Sequence, residues 1–273
     1  MSKQQEILDR LATAFTELPQ SSLLPLSRVI TSLVCGAQAT LHTNELLDQV
    51  AFDYLTSFVL THHALSDRPL KKENFEHAIE YIFRRQGKIV PESTDPTRRG
   101  ADIMADGIRY SLKTSSSKGR QAPNTVDVSK FAESRWLRDP LRNEDFPKIL
   151  QLCTEAVRSH LAEYDEILML QNHSQPQTGS SSVLYRLYQI PKSIFEAVYS
   201  LNVSRLSEMY LSEKNRRGSG SSRNALPQTV TAPLYLEGAL VTKMSLDGSV
   251  EKLRFLSISL SACKLLAEWK VAA

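Results

Sequence analysis

Asp102, Ser111 and Lys113 are the residues of this 273-residue chain whose types and spacing best suit chemistry. They lie in the stretch GADIMADGIRYSLKTSSSK, from Gly100 to Lys118. Within it, Asp106-Gly107 predicts a type I′ hairpin turn, because both central residues of that turn take φ > 0. With that pair as the loop, Ala105 faces Ile108, Met104 faces Arg109 and Asp102 faces Ser111. Opposed residues share a sheet face, as do residues two apart on one strand. Asp102, Ser111 and Lys113 therefore converge, while Ala101, Ile103, Tyr110 and Leu112 point the other way. A carboxylate can hold a divalent cation; an ammonium beside it can position or deprotonate a water and offset phosphate charge. That is the equipment of metal-dependent phosphodiester cleavage. Taken alone, the same residues also describe an ordinary solvated hairpin face.

The hairpin resembles the PD-(D/E)xK nucleases. Ala101-Asp102 stands where Pro-Asp is usual, and Ser111-Leu112-Lys113 where acid-x-Lys is usual. Further blocks follow in order along the chain: LTHHALS at Leu60–Ser66, NFEHA at Asn74–Ala78, VDVSKF at Val126–Phe131 and LAEYDEILML at Leu161–Leu170. YQIPKSIFEA at Tyr188–Ala197 and DGSVEKLRF…C…EW from Asp247 to Trp269 complete the set. Together these resemble the SmaI-type type II restriction endonucleases from about Phe52 onward.

The resemblance implies a homodimer that uses Mg²⁺ to hydrolyse both strands of double-stranded DNA at a short, GC-rich palindrome. It implies that Asp102 and the Leu112 carbonyl hold the metal, and that Lys113 serves the attacking water. It also places an acid at Glu76, on the helix before the sheet, as a further ligand. The family's members lack the acid before x-Lys too, so Ser111 need not mean a dead enzyme, and the metal ligand that this acid would supply stays unassigned.

Other residues offer other chemistry. Ser115 and Lys118 spell S-x-x-K, the signature of Ser/Lys acyl hydrolases, though without the companion motifs. Lys118 reads equally as a phosphate contact. His62, His63, His77 and His160 have no metal-ligand spacing. Arg98 and Arg99 lead into the Asp102 strand and suit phosphate. Arg216 and Arg217 sit in KNRRGSGSSRN, Lys214–Asn224, read as a Gly/Ser-rich basic loop suited to base contacts. Gln121 and Asn124 are further base-reading candidates. A DNA-binding protein on a decayed nuclease fold is the other reading of Ser111.

These residues need elements to hold them. Apolar spacing predicts helices between Lys3 and Leu60, packing on the core or forming a dimer surface, then a helix over Lys71–Gln86 ended by Gly87. A polar loop is expected over Ser115–Asn124 and a helix over Phe146–Tyr164. Strands follow at Glu166–Gln171 and Val183–Ile190, and Pro191 opens a short helix. A last hairpin runs Leu234–Met244, turns at Asp247-Gly248 and returns over Leu253–Leu260. The fold expected is α/β: a restriction-endonuclease-like mixed central sheet flanked by helices, with an αβββαβ core. Residues 1–66 form an N-terminal helical region, 67–200 the catalytic core, and 201–273 an extension with the basic loop and hairpin, all within one compact unit.

Composition is that of a globular protein, and a net charge of +3 is too mild to diagnose nucleic-acid binding. Cys35, Cys153 and Cys263 lack paired spacing and read as reduced core thiols of a cytoplasmic protein. Ser2–Arg10 is too polar for a signal peptide, and no apolar run approaches the ~20 residues of a membrane span.

Overall fold

The computed structural model describes residues 2–91, 101–176, 181–217, 229–247 and 250–272. Helices α1 (Lys3–Glu17) and α2 (Gln20–Cys35) open the chain, followed by strand β1 (Gln38–Leu41). Helix α3 (Gln49–Leu65) starts at an Asp48 cap, whose carboxylate accepts from the Ala51 amide at 2.7 Å. Helix α4 (Lys72–Arg85) buries the stripe Phe75, Ala78, Ile79, Ile82 and Phe83. It ends as its sequence predicts. Gly87 takes φ +77°, its amide reaches the Arg84 carbonyl, and the Lys88 amide reaches that of Phe83, a Schellman closure.

Strands β2 (Ile103–Ala105) and β3 (Ile108–Lys118) form the expected hairpin. Asp106 and Gly107 have φ of 51° and 80°, and Ala105 pairs with Ile108 and Met104 with Arg109. After β4 (Thr125–Val128) come α5 (Arg138–Arg142) and α6 (Phe146–Leu161), the latter capped by Asp145 on the Lys148 amide. Strands β5 (Glu166–Pro176) and β6 (Ser181–Gln189) lead to α7 (Ser193–Glu196) and α8 (Val203–Arg217). Strands β7 (Thr229–Leu236), β8 (Ala239–Asp247), β9 (Arg254–Ser259) and β10 (Lys264–Ala272) complete the chain.

The strands make two sheets. One runs β1-β10-β6-β5-β3-β2, and the other β4-β9-β8-β7. In the first, β3 and β5 are parallel, bridged by a crossover through α6, and the other neighbours are antiparallel. This is the mixed sheet flanked by helices that the sequence predicts. The order α4, β2, β3, β4, α6, β5 follows the αβββαβ plan along the chain, with β4 placed in the second sheet.

Both faces of the first sheet are covered. Leu168 and Leu170 of β5 point toward α3 and α4, with Tyr110, Leu112, Tyr185 and Trp269. Ile167 and Met169 point the other way, toward α6, α7 and the second sheet, with Val157, Tyr188, Phe195 and Phe255. A strand buried on both sides must be apolar throughout, which explains the run Ile167-Leu168-Met169-Leu170.

Several local expectations change. Ser115–Lys118 is strand, not loop: β3 continues along β5 as far as Lys118 opposite Ser174, so its backbone groups are met by the ladder despite the polar side chains. The segment Leu234–Met244 is two strands, because Glu237 and Gly238 turn the chain with φ of 50° and 83°. Of the predicted basic loop, Lys214–Arg217 is the last turn of α8, and residues 218–224 lie outside the described residues. Gly248 of the last predicted turn also lies outside them. The terminal strand β10 pairs with β1 and β6 inside the main sheet. Cys153 is buried and Cys263 half-buried, but Cys35 is exposed at the end of α2 and is not a core thiol.

Candidate active site

Asp102 stands at the point where the β2–β3 ladder stops. The last paired residues are Ile103 and Tyr110, and the Asp102 amide then donates to the Tyr110 carbonyl at 2.8 Å. The Asp102 side chain turns onto β3. Its Oδ2 accepts from the Leu112 amide at 2.6 Å and from the Ser111 hydroxyl at 3.3 Å. Asp102 and Ser111 therefore meet, as the hairpin register predicts. Ser111 is buried and cannot act as a ligand facing solvent.

The other oxygen of Asp102 faces α4. Its Oδ1 lies 2.6 Å from the Lys72 ammonium, which also lies 2.9 Å from Oε1 of Glu76. Lys72 and Glu76 are one helical turn apart and so share a face. The buried stripe of α4 fixes that face: Phe83 packs on Tyr110 of β3 with ring centroids 4.9 Å apart. Burial works against the Lys72 charge, but the hydrogen bonds it donates to Asp102 and Glu76 outweigh it and hold its pKa above the ordinary lysine value. Two carboxylates from different elements thus converge on one cationic nitrogen.

Lys113 is half-buried on the same face of β3. Burial is the main cause that pushes its pKa below the ordinary lysine value, and Asp102 pulls the other way; Lys72 adds to the lowering, while Glu76 and Glu163 oppose it. His160, in the last turn of α6, completes the surroundings. Burial drives its pKa down to about 4, with Lys113 and Lys252 adding and Asp102 opposing. It is neutral at neutral pH, so its 3.3 Å contact with Glu163 is not an ion pair. Lys72 and His160 carry no signal in the sequence beyond ordinary helix positions, and Glu163 none beyond an ordinary turn position.

The remaining expected residues fall in three places. Lys118 is exposed at the end of β3, and Gln121 and Asn124 are exposed in the short connection to β4. One strand therefore leads from Lys113 to the base-reading candidates. Arg98 and Arg99 lie outside the described residues, as do the side chains of Arg216 and Arg217. Ser115 and Lys118 are three apart on a strand, so their side chains leave opposite faces. They cannot form a Ser/Lys dyad, and the acyl-hydrolase reading falls.

Among the described residues, no group of three or more His, Cys, Asp or Glu side chains could hold a metal ion, so the histidines form no centre. The acids at Asp102 and Glu76 nevertheless suit a hard cation. Mg²⁺ commonly keeps several waters and binds through one or two carboxylates. The Lys72 ammonium, 2.6 Å and 2.9 Å from the two, already serves as a stand-in cation there.

No solved structure matches the chain significantly. The type II restriction enzyme SmaI of Serratia marcescens is 27% identical over 218 residues, covering 80% of this chain and 78% of that protein. The family model for SmaI, type II site-specific deoxyribonuclease, matches residues 11–271. The chain belongs to the SmaI family of type II site-specific deoxyribonucleases.

Proposed function

We propose that this restriction endonuclease is a Mg²⁺-dependent homodimer that hydrolyses both strands of duplex DNA within a short, GC-rich palindrome. The observation that carries the reading is the convergence of Asp102 and Glu76 on one cationic nitrogen beside Lys113 on β3. Asp102, Glu76 and the Leu112 carbonyl would hold the metal. When bound, Mg²⁺ offsets phosphate charge and stabilises the departing 3′-oxygen. Lys113 orients water for in-line attack on phosphorus, and burial, by favouring the neutral amine, suits it to accept the water's proton. The new O–P bond forms as the P–O3′ bond breaks, leaving a 5′-phosphate and a 3′-hydroxyl.

Arg98, Arg99 and Lys118 are assigned to phosphate, and Gln121, Asn124, Arg216 and Arg217 to base edges. Two-fold pairing of protomers would set one Asp102–Lys113 site on each strand and match the symmetry of a palindrome. The test is digestion of mixed plasmid and phage DNA with Mg²⁺, followed by sequencing of the ends. Discrete duplex cuts at one GC-rich palindrome are expected. Random nicking, or equal cutting without a divalent cation, would refute the proposal.

A further inference from the structure

Lys72 has no place in the chemistry above, yet it contacts both acids. Its nitrogen lies 2.6 Å from Asp102 and 2.9 Å from Glu76. Without it, two carboxylates would face each other across a partly buried gap, a repulsive arrangement. Its side chain is 39% exposed, so the ammonium has a path to solvent along a flexible stem. It is also the first residue of α4, where a positive charge gains nothing from the helix dipole.

We propose that Lys72 is a resident counter-cation, which keeps Asp102 and Glu76 together in the metal-free protein and is expelled when a divalent cation enters. Lys72 would then be a positioning residue that sets how tightly the site takes metal. The inference rests on the reading of Asp102 and Glu76 as metal ligands. It makes a prediction opposite to that of a structural ion pair: deleting the charge should improve metal binding.

The test measures Mn²⁺ binding to the DNA-free protein by electron paramagnetic resonance, for wild type, Lys72→Met, Lys72→Gln, Lys72→Arg and Asp102→Asn. Two charge-removing variants are included in case one fails to fold, as judged by thermal melting. Loss of the competing ammonium should tighten Mn²⁺ binding about tenfold, equivalent to about 1.4 kcal/mol. Lys72→Arg keeps the charge and should stay weak, and Asp102→Asn should abolish binding. If Met and Gln bind Mn²⁺ no better than wild type while Asp102→Asn abolishes binding, the counter-cation role is overturned and the metal site stands. If no variant binds Mn²⁺ at millimolar concentration, the metal-site reading fails and the inference with it.

Discussion

Asp102 divides its two oxygens between two tasks. Oδ2 is held by the Leu112 amide and the Ser111 hydroxyl, which fix the carboxylate against β3, and Oδ1 is left to face the cation. A single carboxylate makes a poor Mg²⁺ site, so the role of Glu76 can be tested directly. Glu76→Gln keeps the shape and removes the charge. The Mg²⁺ concentration for half-maximal cleavage should rise about tenfold or more, roughly the effect of losing one charged ligand. An unchanged Mg²⁺ titration would transfer the role to another acid. Asp102 and Lys113 were legible in the sequence because they share a hairpin, where strand alternation is a local rule. Glu76 became visible only through the resemblance. Lys72 acts on Asp102 across 30 positions, His160 arrives on α6 and Glu163 in the turn that follows it; no local pattern announces such contacts.

Elements with strong punctuation matched expectation. Asp106-Gly107 turned where a type I′ turn was expected, and Gly87 closed α4. The misses share a cause: partners distant in sequence overrode local composition. Ser115–Lys118 looks like loop but is strand because β5 runs beside it. The terminal strand β10 is recognisable only once β1 and β6 flank it. Glu237-Gly238 is a weaker turn signal than Asp-Gly.

Helix α1 shows the reverse case, an apolar pattern left unburied among the described residues. It has the apolar spacing of a packed helix, yet buries no residue, and Ile7, Leu8 and Leu11 are 49%, 51% and 48% exposed. Such a stripe suits an interface between protomers. Leu8→Glu/Leu11→Glu is expected to shift sedimentation toward the monomer and to lower double-strand cleavage in proportion, with the melting temperature little changed. A double variant that still sediments as a dimer would move the interface elsewhere.

At the scale of the whole molecule, the first sheet separates two apolar cores. The core on the α3 side contains a buried polar joint. The Tyr185 hydroxyl accepts from the Leu70 amide at 2.9 Å and lies 2.7 Å from Nε2 of His63. Burial, helped by His62, pushes the His63 pKa from 6.5 down to about 4. Between those values the unfolded chain binds a proton that the folded chain refuses. Stability is therefore fully present above about 6.5 and is lost as pH falls toward about 4. The urea midpoint should drop across that window, and His63→Asn should flatten the slope. His160 acts with the same sign, so some slope remains. An identical slope in the variant would show that His63 is not a source of the acid sensitivity.

The fold places α4, the hairpin and α6 around one point, where we propose that phosphodiester cleavage happens. The most direct measurement is cleavage of cognate duplex DNA in Mg²⁺ by Asp102→Ala and Lys113→Ala, each checked for native circular dichroism and sedimentation. Both variants should stay folded and lose at least about 10²-fold in rate, as expected when a metal ligand or the residue serving the water is removed. Near-wild-type cutting by either folded variant would contradict the site, and a wild type that binds DNA but does not cut it would point instead to a decayed nuclease.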